Sequence, residues 1–143
     1  MKELDPAVAA FVRETVARQG FRDLLGYEVT AIGSGGAELT LVTGPQHGQQ
    51  DGLIHGGVFA TMADVCAGCA AITLAPRGTR VMTVEFKMSY LRPAKDGPIV
   101  ARARVIKGGR SISVIESDIL KAGPDSESLL AKALVTYTLF QPE

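Results

Sequence analysis

The hydrophobic pattern begins with helical spacing. Over residues 7–19 apolar side chains recur every three or four positions, which is typical of an amphipathic helix. Asp5 followed by Pro6 is a favourable start, because aspartate caps free N–H groups and proline fits the first helical position. Gly20 is the predicted end of this helix, and one more turn is expected after it. Residues 1–25 are therefore predicted to be an N-terminal helical segment.

The middle of the chain is predicted to form one long helix, from about Gly56 to Leu74, that is apolar on nearly every side. Other elements must surround a helix that has no polar face. The stretch has the length of a membrane span, but a charge at its centre, Asp64, would cost roughly 2.5–3.5 kcal/mol in a bilayer. We therefore reject a span. Since the first residues also lack the apolar core of a signal peptide, a cytoplasmic protein is expected.

The remaining segments have the spacing of strands. Two strands, at 27–32 and 37–43, are joined by a glycine-rich turn, and residues 82–90 alternate apolar and polar side chains as a half-buried strand does. Further strands are expected at 98–107, 110–122 and 129–141, with turns at Gly108-Gly109 and Gly123-Pro124-Asp125. The pattern predicts an α+β fold, a single domain of 143 residues in which five or six antiparallel strands wrap around the apolar helix.

Composition excludes several classes of protein. Fifteen Lys and Arg balance fifteen Asp and Glu, so the basic excess of a nucleic-acid-binding protein is missing. Two cysteines are too few for a secreted disulfide framework. They form a C-x-x-C pair, Cys66 and Cys69, but a redox pair normally lies at a helix start, whereas these lie in the middle of the helix. We interpret them as packing residues and predict no metal site.

Two features of the long helix are candidates for chemistry. Asp64 is a lone acid in an apolar run, and an unpaired buried carboxylate is costly, so a general base or nucleophile in an apolar pocket is favoured over a solvent-facing or ion-paired residue. At the helix start, His55-Gly56-Gly57 offers backbone N–H groups at the positive end of the helix dipole. Such groups polarise a carbonyl or hold an oxyanion, although a glycine pair alone is also ordinary turn chemistry.

A family resemblance joins these features. The string DGLIHGGVFATMAD at 51–64 resembles the signature of hotdog-fold acyl-CoA thioesterases of the phenylacetate-pathway type. The run TVEFKMSYLRPA at 83–94 resembles a second block of that family, and Gly109-Arg110-Ser111 before an alternating strand fits it as well. The similarity covers nearly the whole chain from about Gly26.

The resemblance assigns roles to individual residues. Asp64 matches the catalytic acid, Gly57 the backbone donor to the thioester carbonyl, and His55 the residue that shapes this turn. Thr83 lies where relatives place a hydroxyl near the nucleophilic water. Several relatives have an asparagine where this chain has Gln49, and the longer side chain leaves open whether Gln49 or Gln50 takes its part. The other expected contacts to acyl-CoA are Gly56, Arg92, Arg110 and Ser111. Independently of the resemblance, the apolar side chains of Phe59, Met62, Met82 and Met88 are expected to line an adaptable slot for the acyl group.

The arginines have a second interpretation, because cations often line a solvated sheet edge. The resemblance instead implies that Arg92 and Arg110 contact phosphates of coenzyme A. It also implies a homotetramer with each active site built across a dimer interface. Since Gly57 and Asp64 are about 10 Å apart along a helix axis, a site shared between two chains is reasonable.

The expected function is hydrolysis of an aryl- or medium-chain acyl-CoA, with no cofactor beyond the coenzyme A of the substrate. Two alternatives remain. A hotdog hydratase or dehydratase would use His55, the only candidate histidine, together with an acid. A non-catalytic acyl-CoA-binding module is the other, although residues 1–26 are too short for a helix-turn-helix DNA-binding domain.

Overall fold

A computed structural model describes residues 1–123 and 126–142 of the chain. The described helices are α1 (Pro6–Ala17), α2 (Gly20–Leu25) and α3 (Gly56–Ile72). The strands are β1 (Glu28–Gly33), β2 (Gly36–Val42), β3 (Arg80–Tyr90), β4 (Pro98–Gly108), β5 (Ile112–Ala122) and β6 (Glu127–Phe140). The predicted α+β fold is confirmed. Of the predicted turn at Gly123-Pro124-Asp125, the last two residues lie outside the described part.

The six strands form one antiparallel sheet in the order β1-β2-β4-β5-β6-β3. Its inner face wraps around α3, and the wholly buried Met62, Cys66 and Ala67 of α3 share one core cluster with the inward residues of the strands. The sheet places β3 beside β6 at one edge. This edge carries the candidate site.

The membrane span rejected above is absent from the structure as well. Helix α3 has 17 residues, and no helix in the described ranges 1–123 and 126–142 is long and apolar enough to cross a bilayer. The two cysteines are free and buried within α3, as predicted. The Cys66 thiol lies 3.3 Å from the carbonyl oxygens of Ala37 and Ala101, and burial raises the pKa of Cys69 to about 12. Both thiols therefore stay protonated and serve packing.

The N-terminal segment begins as predicted and ends differently. The Asp5 carboxylate accepts a hydrogen bond from the Ala7 N–H at 2.8 Å, and Pro6 is the first helical residue. The prediction that Gly20 ends α1 is wrong, because α1 ends at Ala17 and Gly20 begins α2. The glycine that ends a helix here is Gly26, whose φ of 85° is the left-handed conformation that glycine adopts most easily.

The alternation predicted for residues 82–90 is interrupted within β3. Phe86, Met88 and Tyr90 lie opposite buried residues of β6, as expected of the apolar positions in the alternating pattern. The register shifts between Thr83 and Glu85, which is a β-bulge at Val84. A bulge reverses the alternation of side chains beyond it. Thr83 therefore points towards α3, and Met82 does not.

Candidate functional site

Asp64 lies on α3 where the helix passes the β3–β6 edge of the sheet. Its Oδ1 accepts hydrogen bonds from the Thr83 hydroxyl at 2.8 Å and from the Tyr137 hydroxyl at 3.0 Å. The residue is half-buried. The expectation that Asp64 is not ion-paired agrees with the structure, whereas the expectation of full burial is wrong. Asp64 is held by neutral hydroxyl groups, and none of the described residues forms an ion pair with it.

Thr83 reaches this site because of the bulge. A strictly alternating strand would place Thr83 with the polar set on the outer face, together with Glu85 and Lys87. The extra residue, Val84, puts Thr83 directly opposite Tyr137 of β6 instead. The hydroxyl expected near the nucleophilic water is thus brought to the carboxylate of Asp64.

Tyr137 is a residue of this site that the sequence reasoning missed. Its hydroxyl lies 2.6 Å from the main-chain oxygen of Asp64 as well as 3.0 Å from Oδ1. Burial, and next the nearby charge of Asp64, raise the pKa of Tyr137, so its hydroxyl keeps its proton. The available signal was its position on the inward row of β6, which otherwise carries Ala131, Ala133 and Val135.

The carboxylate opens onto a groove of about 790 Å³ between α1, α3 and the start of β3. Along α3 the groove extends from Asp64 to Ile72, which is about 12 Å at 1.5 Å per residue. The opposite wall is formed by Phe11 and Thr15 of α1 and by Gln19, which precedes α2. The N-terminal segment, to which the sequence reasoning gave no role, therefore completes the groove.

At the start of α3, the structure favours a different backbone donor from the predicted one. The Gly57 N–H donates to Nδ1 of His55 at 2.8 Å, so His55 is the N-cap of the helix and this N–H is already satisfied. The Gly56 N–H, the first of the helix, has no acceptor among the described residues, as is usual for the first turn. Gly56 replaces Gly57 as the candidate donor.

The two glutamines lie in the loop that precedes α3. The Gln49 Oε1 accepts from the Asp51 N–H at 3.0 Å, and the Gln50 amide donates to the Asp51 carboxylate at 3.2 Å. Gln49 lines a smaller cavity of about 380 Å³ together with Ile54 and Lys95. Neither glutamine lines the groove beside Asp64 of its own chain.

The predicted phosphate contacts lie at opposite ends of β6. Arg92 follows β3, and its guanidinium donates to the Leu129 carbonyl at 2.9 Å. Arg110 and Ser111 lie in the turn between β4 and β5 rather than at the start of a strand, and the Ser111 carbonyl accepts from the Leu139 N–H. The two arginines are thus separated by about nine residues of β6, or about 30 Å. Within one chain they do not contact the same phosphate.

Two apolar residues predicted to contact substrate belong to the core instead. Met62 is wholly buried, and Phe59 is 3% exposed and stacks on the Tyr90 ring with centroids 6.4 Å apart. Neither lines the groove beside Asp64. Both were assigned from their position in an apolar helix, which does not distinguish a core face from a ligand-binding face.

Known proteins show the same fold and related sequences. The model of the thioesterase superfamily matches residues 51–128. A putative esterase of Halobacterium salinarum is 31% identical over 78% of this chain and 77% of its own. A medium/long-chain acyl-CoA thioesterase of Salmonella typhimurium is 26% identical over 59% of this chain and 61% of its own. The crystal structure of a thioesterase family protein from Silicibacter pomeroyi has a TM-score of 0.90 and 30% identity, covering 94% of this chain and 99% of its own.

Proposed function

The chain belongs to the thioesterase superfamily and is a thioester hydrolase of the hotdog fold, and from this we propose that it hydrolyses acyl-CoA. The observation that carries the proposal is the carboxylate of Asp64, held by two hydroxyls at the wall of a groove large enough for an acyl group. The acyl-CoA thioesterase of Salmonella typhimurium supports the choice of coenzyme A as the thiol.

Asp64 is proposed to act as a general base. A water molecule loses a proton to the carboxylate while its oxygen bonds to the thioester carbon. The carbon–sulfur bond then breaks, the departing sulfur takes up the proton that Asp64 accepted, and coenzyme A leaves as the thiol while the free acid remains and Asp64 is again a carboxylate. The charge that develops on the carbonyl oxygen is stabilised by a backbone N–H, which we assign to Gly56. The alternative is that Asp64 acts as the nucleophile and its carboxylate attacks the thioester carbon directly.

A complete site requires a second copy of the chain. Gly56 and Asp64 are eight residues apart on α3, about 12 Å along its axis, so one chain does not present both to a single carbonyl. Strand β3 is a free edge of the sheet, and its Met82, Val84 and Tyr90 are 54–59% exposed. A long apolar edge strand is a template for pairing. We propose that two copies pair through β3 about a two-fold axis.

This pairing explains the positions of the arginines. Two β3 strands related by a two-fold axis run antiparallel, so the Tyr90 end of one lies beside the Arg80 end of the other. Arg92 of the partner subunit then lies at the same end as Arg110 and Ser111. The antiparallel pairing of the two β3 strands is also proposed to bring Gly56 and Gln49 of the partner subunit close to Asp64. The arginines separated in one chain are proposed to contact the phosphates of one coenzyme A, and the homotetramer is proposed as a pair of such dimers.

The groove limits the acyl group. Its length of about 12 Å along α3 suits an aryl group or a medium-length chain better than a long one. Its lining includes apolar side chains, among them Val65 and Ile72. We propose aryl- or medium-chain acyl-CoA as the substrate class.

The test is a hydrolysis screen over acyl-CoA thioesters of increasing chain length and over aryl-CoA thioesters, with release of the coenzyme A thiol as the readout. We expect the highest kcat/KM for aryl and medium chains, and a fall for chains longer than the groove. A second assay follows the conjugated double bond of an enoyl-CoA. Loss of conjugation without thiol release would support a hydratase instead, and binding without turnover of any thioester would support a binding module.

A further inference from the structure

Tyr137 contacts the Asp64 carboxylate but has no part in the proposed hydrolysis. Thr83 donates to Oδ1 of Asp64, and the single hydroxyl proton of Tyr137 is shared between Oδ1 and the main-chain oxygen of the same residue. No described residue donates to Oδ2, and Asp64 lines the groove. The two oxygens of the carboxylate therefore have different surroundings.

The tyrosine is fixed more firmly than the threonine. It is 4% exposed, and its hydroxyl lies within hydrogen-bonding distance of both the main-chain oxygen and Oδ1 of Asp64. A group that spans the main chain and the side chain of one residue restricts the side-chain torsions of that residue. The hydroxyl of Thr83 restrains only the carboxylate.

Gly68, one helical turn after Asp64, makes this contact possible. A Cβ atom at this position would lie 2.9 Å from the Tyr137 hydroxyl oxygen, which is too close for an ordinary contact. Glycine is an unfavourable residue inside a helix. At position 68, however, the absence of a side chain leaves room for the Tyr137 hydroxyl. The contact between Tyr137 and Asp64 therefore depends on the glycine at position 68.

We infer that Tyr137 is a positioning residue that fixes the Asp64 side chain through Oδ1, so that Oδ2 faces the groove as the proton-accepting atom. The inference rests on the proposed function, since it assigns a part within the same site. Tyr137 itself does not contact the reacting atoms. Its contribution is the orientation of the carboxylate, and misplacement of a catalytic group by about 1 Å costs up to about a hundredfold in rate.

The test is Tyr137→Phe, which removes the hydroxyl and keeps the ring. We expect kcat to fall by roughly ten- to a hundredfold with a smaller change in KM, because the ring that lines the groove is kept. The matched control is Thr73→Val, which removes a buried hydroxyl at the end of α3 and keeps the shape of the side chain. The Thr73 hydroxyl donates to the Ala70 carbonyl at 2.7 Å and accepts from the Gly35 N–H at 2.8 Å, and Thr73 does not line the groove, so this variant loses buried hydrogen bonds outside the site. Equal kcat values for the two variants would overturn the inference.

A double variant distinguishes this inference from the proposed function. If Tyr137 acts through Asp64, then adding Tyr137→Phe to Asp64→Asn lowers kcat no further, because the carboxylate to be positioned is gone. A full additional loss in the double variant would overturn the positioning role. An Asp64→Asn enzyme with native kcat would instead contradict the proposed function, whatever Tyr137→Phe does.

Gly68→Ala provides a second approach if Tyr137→Phe does not fold. Alanine favours the helix, and its methyl group displaces the Tyr137 hydroxyl from Asp64. We expect a folded protein in which kcat falls by a larger factor than KM changes, although Gly68 lines the groove. A Gly68→Ala enzyme with native kcat would contradict the inference.

Discussion

Carboxylates are held in two different ways on the two sides of the sheet. On the outer face, Glu38 and Glu127 both bond to Arg102, and Glu116 bonds to Arg104 and Lys132. On the inner side, Asp64 has hydroxyl donors only. These three outer carboxylates are bound to permanent cations, whereas Asp64 has neutral partners on one oxygen.

This difference distinguishes carboxylates that stabilise the sheet from the carboxylate that is proposed to react. The hydrogen bond from Arg104 holds the pKa of Glu116 below its usual value, and the bond from Arg102 does the same for Glu127. A carboxylate paired in this way is a poor proton acceptor near neutral pH. Asp64 keeps one oxygen towards an open groove without a competing cation among the described residues. The sheet therefore pairs these three outer carboxylates with cations of the same chain and leaves the inner carboxylate available.

The largest expected effect comes from removing the inner charge. Asp64→Asn keeps the size of the side chain but no longer accepts a proton, so kcat should fall about 10²–10⁴-fold, the usual contribution of a general base. Glu116→Gln is the matched variant on the outer face and should keep native kcat. Steady-state kinetics on both variants, with circular dichroism to confirm folding, measures the contrast. A folded Asp64→Asn enzyme with more than about a tenth of native kcat would contradict the assignment.

The two sides also differ in their exposed apolar residues. Val84 on the β3 edge is 56% exposed beside a row of unpaired backbone groups, while Leu134 on the outer face of β6 is 46% exposed within a fully paired strand. Of these two residues, only Val84 lies on a strand whose edge is unpaired. The comparison predicts that the β3 edge, and not the outer apolar positions, holds two chains together.

Val84→Lys should break this assembly, because a lysine on an edge strand opposes strand pairing. We expect light scattering to give the mass of one chain, 15.1 kDa, for Val84→Lys and at least twice that mass for the native protein. Thioesterase activity should be lost together with the dimer. Leu134→Lys is the control and should still assemble. A native protein of one-chain mass, or an assembled and active Val84→Lys variant, would contradict the shared site.

The elements of the fold were predictable because their signals are local. Spacing of apolar residues identified α3 and the strands, and the Asp5-Pro6 pair identified the start of α1. The boundary at Gly20 was wrong because a glycine between two helices fits the end of one and the start of the next equally well. Asp64 was identified as a lone acid in an apolar run, and the family resemblance added Thr83, whose hydroxyl lies 2.8 Å from the Asp64 carboxylate.

The rest of the site depends on contacts between distant parts of the chain. A periodic pattern does not show a bulge, so the inward turn of Thr83 could not be derived from alternation. The bond between Tyr137 and Asp64 joins residues 73 positions apart. The choice between Gly56 and Gly57 depends on the side-chain torsions of His55, which place its ring nitrogen on one N–H and not the other. Spacing along the chain contains none of this information.

The smallest expected effect concerns the outer ion pairs. Arg102→Met removes the contacts to Glu38 and Glu127 while keeping much of the apolar stem. Its side chain is 46% exposed, and exposed pairs contribute little, so the free energy of unfolding at pH 7 should fall by about 1 kcal/mol or less. Urea unfolding of the native protein and the variant measures this difference, and kcat should stay at the native value.

The same variant should show a pH dependence of defined sign. The pKa of Glu127 is lower in the folded protein than in the unfolded chain, because Arg102 stabilises the charged form. The pair therefore stabilises the fold fully above the unfolded value of 4.5, and this contribution is lost as the pH falls through the lower folded value. The native protein should thus lose its advantage over Arg102→Met on acidification. An advantage that persists at a pH where the carboxylates are protonated would show that Arg102 stabilises the sheet through the packing of its stem rather than through its charge.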